Sequence, residues 1–290
     1  GRELLMSWEK LIKENKPLVI TGTINAYSAL LAERAGIKAI YLSGGGVANA
    51  SYGLPDLAMT SREDVLEDVR RIRSASELPL LVDIDTGWGS ALSISRTIKE
   101  MISAGASGVH IEDQVSEKRC GHRPNKEIVS CEEMVDRIKA AKDAQTDDNF
   151  LLMARTDAFA KGGLQEVIDR SNAFIEAGAG AIFPEAISTL KDYEEISKNV
   201  FKPILANITE FGMTPLFSHN ELAEAGVKIV LHPLSAFRAM SKAAEKVYAT
   251  LASGGDHEGL LDKMQTRDEL YDVLDYHMYE EKIDKLFEKN

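Results

Sequence analysis

The chain has 290 residues, with 34 Lys and Arg against 46 Asp and Glu, a net charge of −12 and 44% apolar side chains. That acidity argues against nucleic acid as a partner, because phosphate backbones reward clustered cations, and no apolar run approaches the ~20 residues of a membrane helix. The two cysteines, Cys120 and Cys131, make no disulfide framework, which points to a reducing compartment such as the cytoplasm.

Gly1 to Met6 resembles neither a targeting segment nor a core element. Strand-type apolar runs then recur along the chain. They fall at Pro17–Gly22, Ala39–Ser43, Pro79–Asp85 and Gly108–Asp113, then at Phe150–Arg155, Ala181–Glu185, Pro203–Thr209 and Lys228–His232. Runs this continuous suit strands buried on both faces of a parallel sheet. Amphipathic helical segments separate them. Ser61–Ala75 opens on a capping serine, carries Glu63 and Asp64 in its first turn, and sets Val65, Val69 and Ile72 along one face. Val129–Ala144 and Leu164–Ala177 behave alike, and Gly105 and Gly178 stand where helices stop.

Eight alternations of strand and helix predict an α/β fold, a (β/α)8 TIM-type barrel, in one domain over 1–290 with a C-terminal helical extension. An open doubly wound sheet would also alternate, but the G-x-G-x-x-G fingerprint of its dinucleotide-binding members is missing after the first strand.

In such barrels the chemistry sits at the C-terminal ends of the strands, and polar residues collect there. The second strand ends in Ser43-Gly44-Gly45-Gly46, whose N–H groups can hold an anion, although a glycine run by itself reads as a plain tight turn. The third ends in "VDIDTGWG". Asp83 and Asp85, two apart, are expected to share a strand face. Two inward carboxylates are costly to bury unpaired, and a hard cation such as Mg2+, or Mn2+ in its place, relieves that cost.

Glu112 ends the fourth strand, where it can accept from metal-bound water or pair with a lysine. His110, alternating with it, reads as a packed core histidine. The next three strands deliver Arg155, Glu185, and then Asn207 with Thr209, and Arg238 follows the eighth. Two arginines, an amide and a hydroxyl around one mouth suit a small polycarboxylate. Cys120 stands in "EKRCGHRPN" beside Lys118, Arg119 and His122. Such cationic company favours thiolate and marks the cysteine as chemical; the chain offers too few soft ligands for a zinc site. Cys131, at the start of a helix, reads as structural.

Together, "KRCGH", "VDIDTGWG", "MARTDA", "FPEA", "ANITEFG" and "PLSAFRAM" resemble the 2-methylisocitrate lyase family of the isocitrate lyase and phosphoenolpyruvate mutase superfamily. The resemblance runs from about residue 7 to the end. It implies a barrel whose C-terminal helix is exchanged between subunits, a homotetramer built as a dimer of dimers, and Mg2+ dependence. It implies metal binding by Asp83 and Asp85, with Glu112 in the water-mediated shell and Asp56 nearby. It places Ser43, Gly44, Gly45, Cys120, Gly121, Arg155, Glu185, Asn207, Thr209, Arg238 and Arg267 against substrate.

The implied reaction is cleavage of 2-methylisocitrate to pyruvate and succinate, in the methylcitrate cycle of propionate catabolism. Cys120 would be the general acid, with His122 and Lys118 setting its protonation, and Tyr41 is a candidate base. Phe183, Leu231 and Pro233 would form an apolar recess for the substrate methyl group. His232 departs from the pattern, standing where close relatives are expected to carry tyrosine. Related carbon–carbon lyases, such as oxaloacetate hydrolase or isocitrate lyase, remain alternatives on the same barrel. So does a catalytically silent carboxylate-binding or scaffold protein.

Overall fold

The computed structural model describes residues 7–116 and 127–288. Its centre is a parallel sheet of eight strands: β1 (Leu18–Gly22), β2 (Ala39–Leu42), β3 (Leu80–Asp83), β4 (Gly108–Glu112), β5 (Leu151–Thr156), β6 (Ala181–Pro184), β7 (Leu205–Asn207) and β8 (Ile229–His232). The ladder order is β6-β5-β4-β3-β2-β1-β8-β7. An isolated parallel bridge, Ile182 with Ile204, and the bond from Ile182 N–H to the Pro203 carbonyl at 2.9 Å close the remaining seam. The predicted strands are all present, most of them a residue or two shorter at one or both ends, and β5 of the predicted length but shifted one residue onward.

Helices clothe the outside: α2 (Ala26–Arg34), α4 (Arg62–Ala75), α5 (Ala91–Ala104), α6 (Cys131–Ala144), α7 (Phe159–Ala177), α8 (Leu190–Asn199) and α9 (His219–Glu224). Serine and acid start α4 as the sequence suggests. Ser61 accepts from the Asp64 N–H while the Asp64 carboxylate accepts from the Ser61 N–H. Gly105 and Gly178 end α5 and α7 with φ of 103° and 125°, where a side chain would strain the backbone. Within α7, Gly163, at φ 71°, is non-helical and separates a short leading turn at Phe159 from the main run, which starts at Leu164 as the sequence predicts.

The alternating pleat separates two cores. Val, Ile and Leu on the outer faces of the strands pack beneath the helices, whereas Leu18, Ile20, Leu81, Met153, Leu205 and Ile229 fill the barrel. At its lower end α1 (Trp8–Glu14) presses Trp8 and Leu11 into that inner cluster, and the Trp8 indole donates to the Ser107 carbonyl at 2.9 Å. Only the upper end is left for polar groups. After β8 come α10 (Ser235–Ala252), α11 (Arg267–Leu274) and α12 (Tyr276–Leu286), none with a buried residue.

Trp8→Ala removes the plug far from the polar end. It should lower stability by about 3–5 kcal/mol, as large-to-small core changes do, while leaving the polar end assembled. Urea unfolding of both proteins measures the loss; an unchanged midpoint would mean that the helix does not brace the barrel.

Candidate active site

The upper end begins with the glycine run. After β2, Ser43 caps a single helical turn, α3 (Gly44–Gly46), its Oγ accepting from the Gly46 N–H at 3.2 Å. The chain then passes into one π-type turn, Val47–Ser51. The Gly44 N–H donates to Asp83 Oδ2 at 3.2 Å. Gly44 and Gly46 thus turn their amides to the protein itself, which corrects the expectation of an open anion cradle at those two positions. Glycine allows this closeness: a Cβ on Gly44 would lie 2.9 Å from Asp83 Oδ2, and one on Gly45 3.2 Å from Asp56 Oδ2, so either carboxylate would have to give way.

Asp83 and Asp85 converge, but not by strand alternation. β3 ends at Asp83, and Asp85 turns back with φ 51°, in the left-handed region that Asp tolerates better than most residues. Its N–H donates to Asp83 Oδ1 at 2.9 Å, and its carbonyl accepts from the Glu112 N–H at 2.9 Å. One oxygen from each of Asp83, Asp85 and Glu112 therefore falls within 4.8 Å of the others. Asp83 and Glu112 are buried. Three carboxylates so close repel one another, and an all-oxygen donor set suits a hard divalent cation. The residues fit that group. Asp56 is exposed and lines the same space beside Asp83, outside the group of three.

Arg155, from β5, supplies the opposite charge. Its Nε lies 3.7 Å from Glu112 Oε2 and its Nη2 3.8 Å from Glu185 Oε2. Burial works against its charge, but Asp157, Glu112 and Glu185 outweigh burial and hold the guanidinium firmly protonated. Phe183 lies under it, 5.2 Å from ring centroid to Cζ.

Tyr41, Ser43, Gly45, Asp83, Arg155 and Asn207 line one cavity of about 210 Å3, and Phe183, Leu231 and Pro233 form its apolar wall. Two acceptors at this end, Asn207 Oδ1 and Glu185 Oε2, are buried without a hydrogen bond. Native structures rarely leave such atoms unsatisfied, so they mark a place for donors from a ligand or water.

Tyr41 and His110 form a second polar unit. Tyr41 Oη lies 2.7 Å from His110 Nε2, and the imidazole sits between the Tyr41 and Phe183 rings. Burial, reinforced by the charge of Asp83, pushes the phenol well above its ordinary pKa. Tyr41 thus rests as a neutral hydroxyl, which weakens it as a resting base. His110 is buried as expected, but its Nδ1 is 3.8 Å from Asp83 Oδ1, so it touches the carboxylate group rather than merely filling space. His232 Nδ1 donates to the Ile208 carbonyl at 3.1 Å, leaving Nε2 to accept from His219 Nε2 at 2.9 Å. The departure from tyrosine is accommodated by a second histidine.

Not every predicted residue reaches the cavity. Thr209 does not line it. Arg238, about half exposed, faces Glu210 at 3.9 Å and the Phe211 ring at 5.7 Å. Arg267 is exposed at the start of α11. Lys118, Cys120, Gly121 and His122 lie outside the described residues. Conversely, Gln114, Asn49 and Leu234 line the cavity and were not anticipated. Gln114 continues the alternation of His110 and Glu112, a signal that was available; Asn49, within a featureless "VANAS", carried none.

A model of the phosphoenolpyruvate phosphomutase family matches residues 8–252, and the chain belongs to that family. Among its relatives, a 2-methylisocitrate lyase of Vibrio cholerae is 60% identical over 95% of this chain and 92% of its own length. The 2-methylisocitrate lyase of Escherichia coli is 60% identical over 97% and 95%. A solved phosphonopyruvate hydrolase, in complex with oxalate and Mg++, superposes with a TM-score of 0.83 at 28% identity, covering 96% of this chain and 97% of that one.

Asp83→Asn and Asp85→Asn should each weaken Mn2+ binding, read by electron paramagnetic resonance, by at least ~10–100-fold, the cost of losing even outer-sphere partners of a metal. Parental affinity in both variants would place the cation elsewhere.

Proposed function

We propose that this chain is a Mg2+-dependent lyase that cleaves 2-methylisocitrate to pyruvate and succinate. The observation that carries the reading is the cavity itself. It joins an oxygen-only carboxylate group, a fixed arginine and an apolar wall, in a chain 60% identical to proteins that bear that activity in their names.

Asp83, Asp85 and Glu112 would hold the ion, which would supply positive charge opposite the substrate hydroxyl and its neighbouring carboxylate. Arg155 would bind a second carboxylate, with Ser43, Gly45, Gly121, Glu185 and Asn207 completing the contacts, and Arg238 and Arg267 joining from the rim. The hydroxyl proton passes to a base; Tyr41 serves only if its buried phenol first loses its own proton, through His110. The carbon–carbon bond then breaks, its electron pair moving to the succinate fragment while the other fragment becomes the ketone of pyruvate. The Cys120 thiol, its protonation set by His122 and Lys118, gives its proton to the carbanion of the succinate fragment. Leu231, Pro233 and Phe183 would receive the methyl group.

The same reading sets the enzyme in the methylcitrate cycle of propionate catabolism, in the cytoplasm, as a homotetramer exchanging its C-terminal helix. The exposed Tyr248, Leu251, Tyr279, Ile283 and Phe287 support the last point, since apolar side chains in such number suit a partner copy.

Product analysis with 2-methylisocitrate and Mg2+ tests the assignment directly, and EDTA should abolish turnover reversibly. Cys120→Ser should retain Mn2+ binding yet lose about 10²–10⁴-fold in kcat; parental turnover would remove the thiol from the reaction.

Specificity separates the lyases. One methylene in an apolar pocket is worth about 10–200-fold, so kcat/KM for 2-methylisocitrate should exceed that for isocitrate by that order. Leu231→Phe should harm the methylated substrate more, with Tm measured alongside because Leu231 is fully buried. Equal or better use of isocitrate by the parent would favour the isocitrate lyase reading.

A further inference from the structure

Arg155 is held from one side by a residue that stands inside the "MARTDA" stretch but has no part in the proposed chemistry. Asp157, two positions on and buried, accepts from Arg155 Nε at 3.2 Å and from Nη2 at 3.0 Å, one bond to each carboxylate oxygen. This side-on fork fixes the plane of the guanidinium as well as its place. The guanidinium carbon lies over the Phe183 ring, 5.2 Å from its centroid.

Asp157 is itself anchored. Its N–H donates to Asp113 Oδ1 at 2.9 Å, and the Gln114 amide donates to its Oδ2 at 3.2 Å. Asp113 is tied in turn by the Thr156 hydroxyl at 2.7 Å and by Arg170 Nη1 at 3.1 Å. The other carboxylates near Arg155, Glu112 and Glu185, stand farther off at 3.7 and 3.8 Å. Glu112 belongs to the metal-ligating group. Without Asp157 the guanidinium would be drawn toward these two and would partly neutralise the group meant for the cation. With it, no described residue hydrogen-bonds Arg155 Nη1.

We propose that Asp157 is a positioning residue, holding Arg155 off Glu112 and over the Phe183 ring so that its remaining amino group meets a substrate carboxylate. The proposal rests on the lyase reading for the identity of that carboxylate, and on geometry for the rest.

Asp157→Asn keeps size and shape but breaks the charged fork. kcat/KM for 2-methylisocitrate should fall about 10–100-fold, the scale of a charge-assisted hydrogen bond, mainly through KM. Arg155→Lys, which cannot form the fork, should already contain this loss, so adding Asp157→Asn to it should cost less than about threefold more. A parental KM in the single variant, or a double variant whose losses multiply in full, would overturn the role; a purely structural Asp157 would lower Tm without that pattern.

A crystal structure of Asp157→Asn supplies a readout independent of turnover. Arg155 is expected to shift toward Glu112 or Glu185, and an unmoved guanidinium sinks the proposal. If the parent cleaves no 2-methylisocitrate, the lyase reading fails while this structure still decides the position of Arg155. Should Asp157→Asn not accumulate as folded protein, Asp157→Glu keeps the charge and displaces it by one methylene. The same KM-weighted loss is expected there, and a parental KM overturns the proposal.

Discussion

Like charges forced together at the mouth of the barrel set the terms for everything around them. Oxygens of Asp83, Asp85 and Glu112 lie within 4.8 Å of one another, and two like charges at ~4 Å repel by about 4 kcal/mol even at an effective dielectric of 20. Their neighbours can be understood as responses to that repulsion. The Gly44 amide donates to Asp83 Oδ2, and the Asp85 amide donates to Asp83 Oδ1. Arg155 balances the far side, and a cation suits the near side. A side chain on Gly44 would crowd the Asp83 carboxylate, and Asp85 adopts a left-handed backbone, because both come close to Asp83. Some stability is given up for a site that attracts a divalent ion.

The scaffold can bear this because the two ends of the barrel interior differ in kind. Below, Leu18, Ile20, Leu81 and Ile229 with Trp8 make an apolar plug needing no water. Above, the same interior meets Tyr41 and Phe183, which share the His110 imidazole between them. The aromatic layer separates a packed floor from a polar mouth. It also gives Arg155 and His110 rigid surfaces to lie against, so their donors are fixed by packing rather than by flexible loops.

Much of this was legible in the sequence, and for identifiable reasons. The strands announced themselves because burial on both faces demands unbroken apolar runs, and their ends were overestimated where the chain leaves the ladder but stays buried, as at Ile84 and Ile208. The cap at Ser61 followed from local chemistry alone. The meeting of Asp83 with Asp85 was expected for the wrong reason: the sequence suggested a pleat, and the chain uses a turn. The Gly44 amide was misjudged because a pattern cannot tell which acceptor an N–H will find. Asp157 went unnoticed since an acid after a strand resembles any helix-start residue; its value comes from Asp113 and Gln114, more than forty residues away. Arg238 and Arg267 belong to the same limit, because a motif gives a residue's type and not whether it reaches a particular cavity.

The seam between β1 and β8 bears on how the molecule is made. Leu18 pairs with Ile229 and Thr21 with His232, so the first strand waits for a neighbour synthesised more than two hundred residues later. At ribosomal speeds of ~5–20 residues per second the wait is on the order of ten to forty seconds. During that time β1 presents an unpaired edge, and Trp8 has no Ser107 carbonyl to meet until the fourth strand approaches. Pairings so distant make for slow folding. The growing chain therefore passes through a stage in which an unpaired apolar edge is open to a second nascent copy, a hazard that ends when β8 arrives.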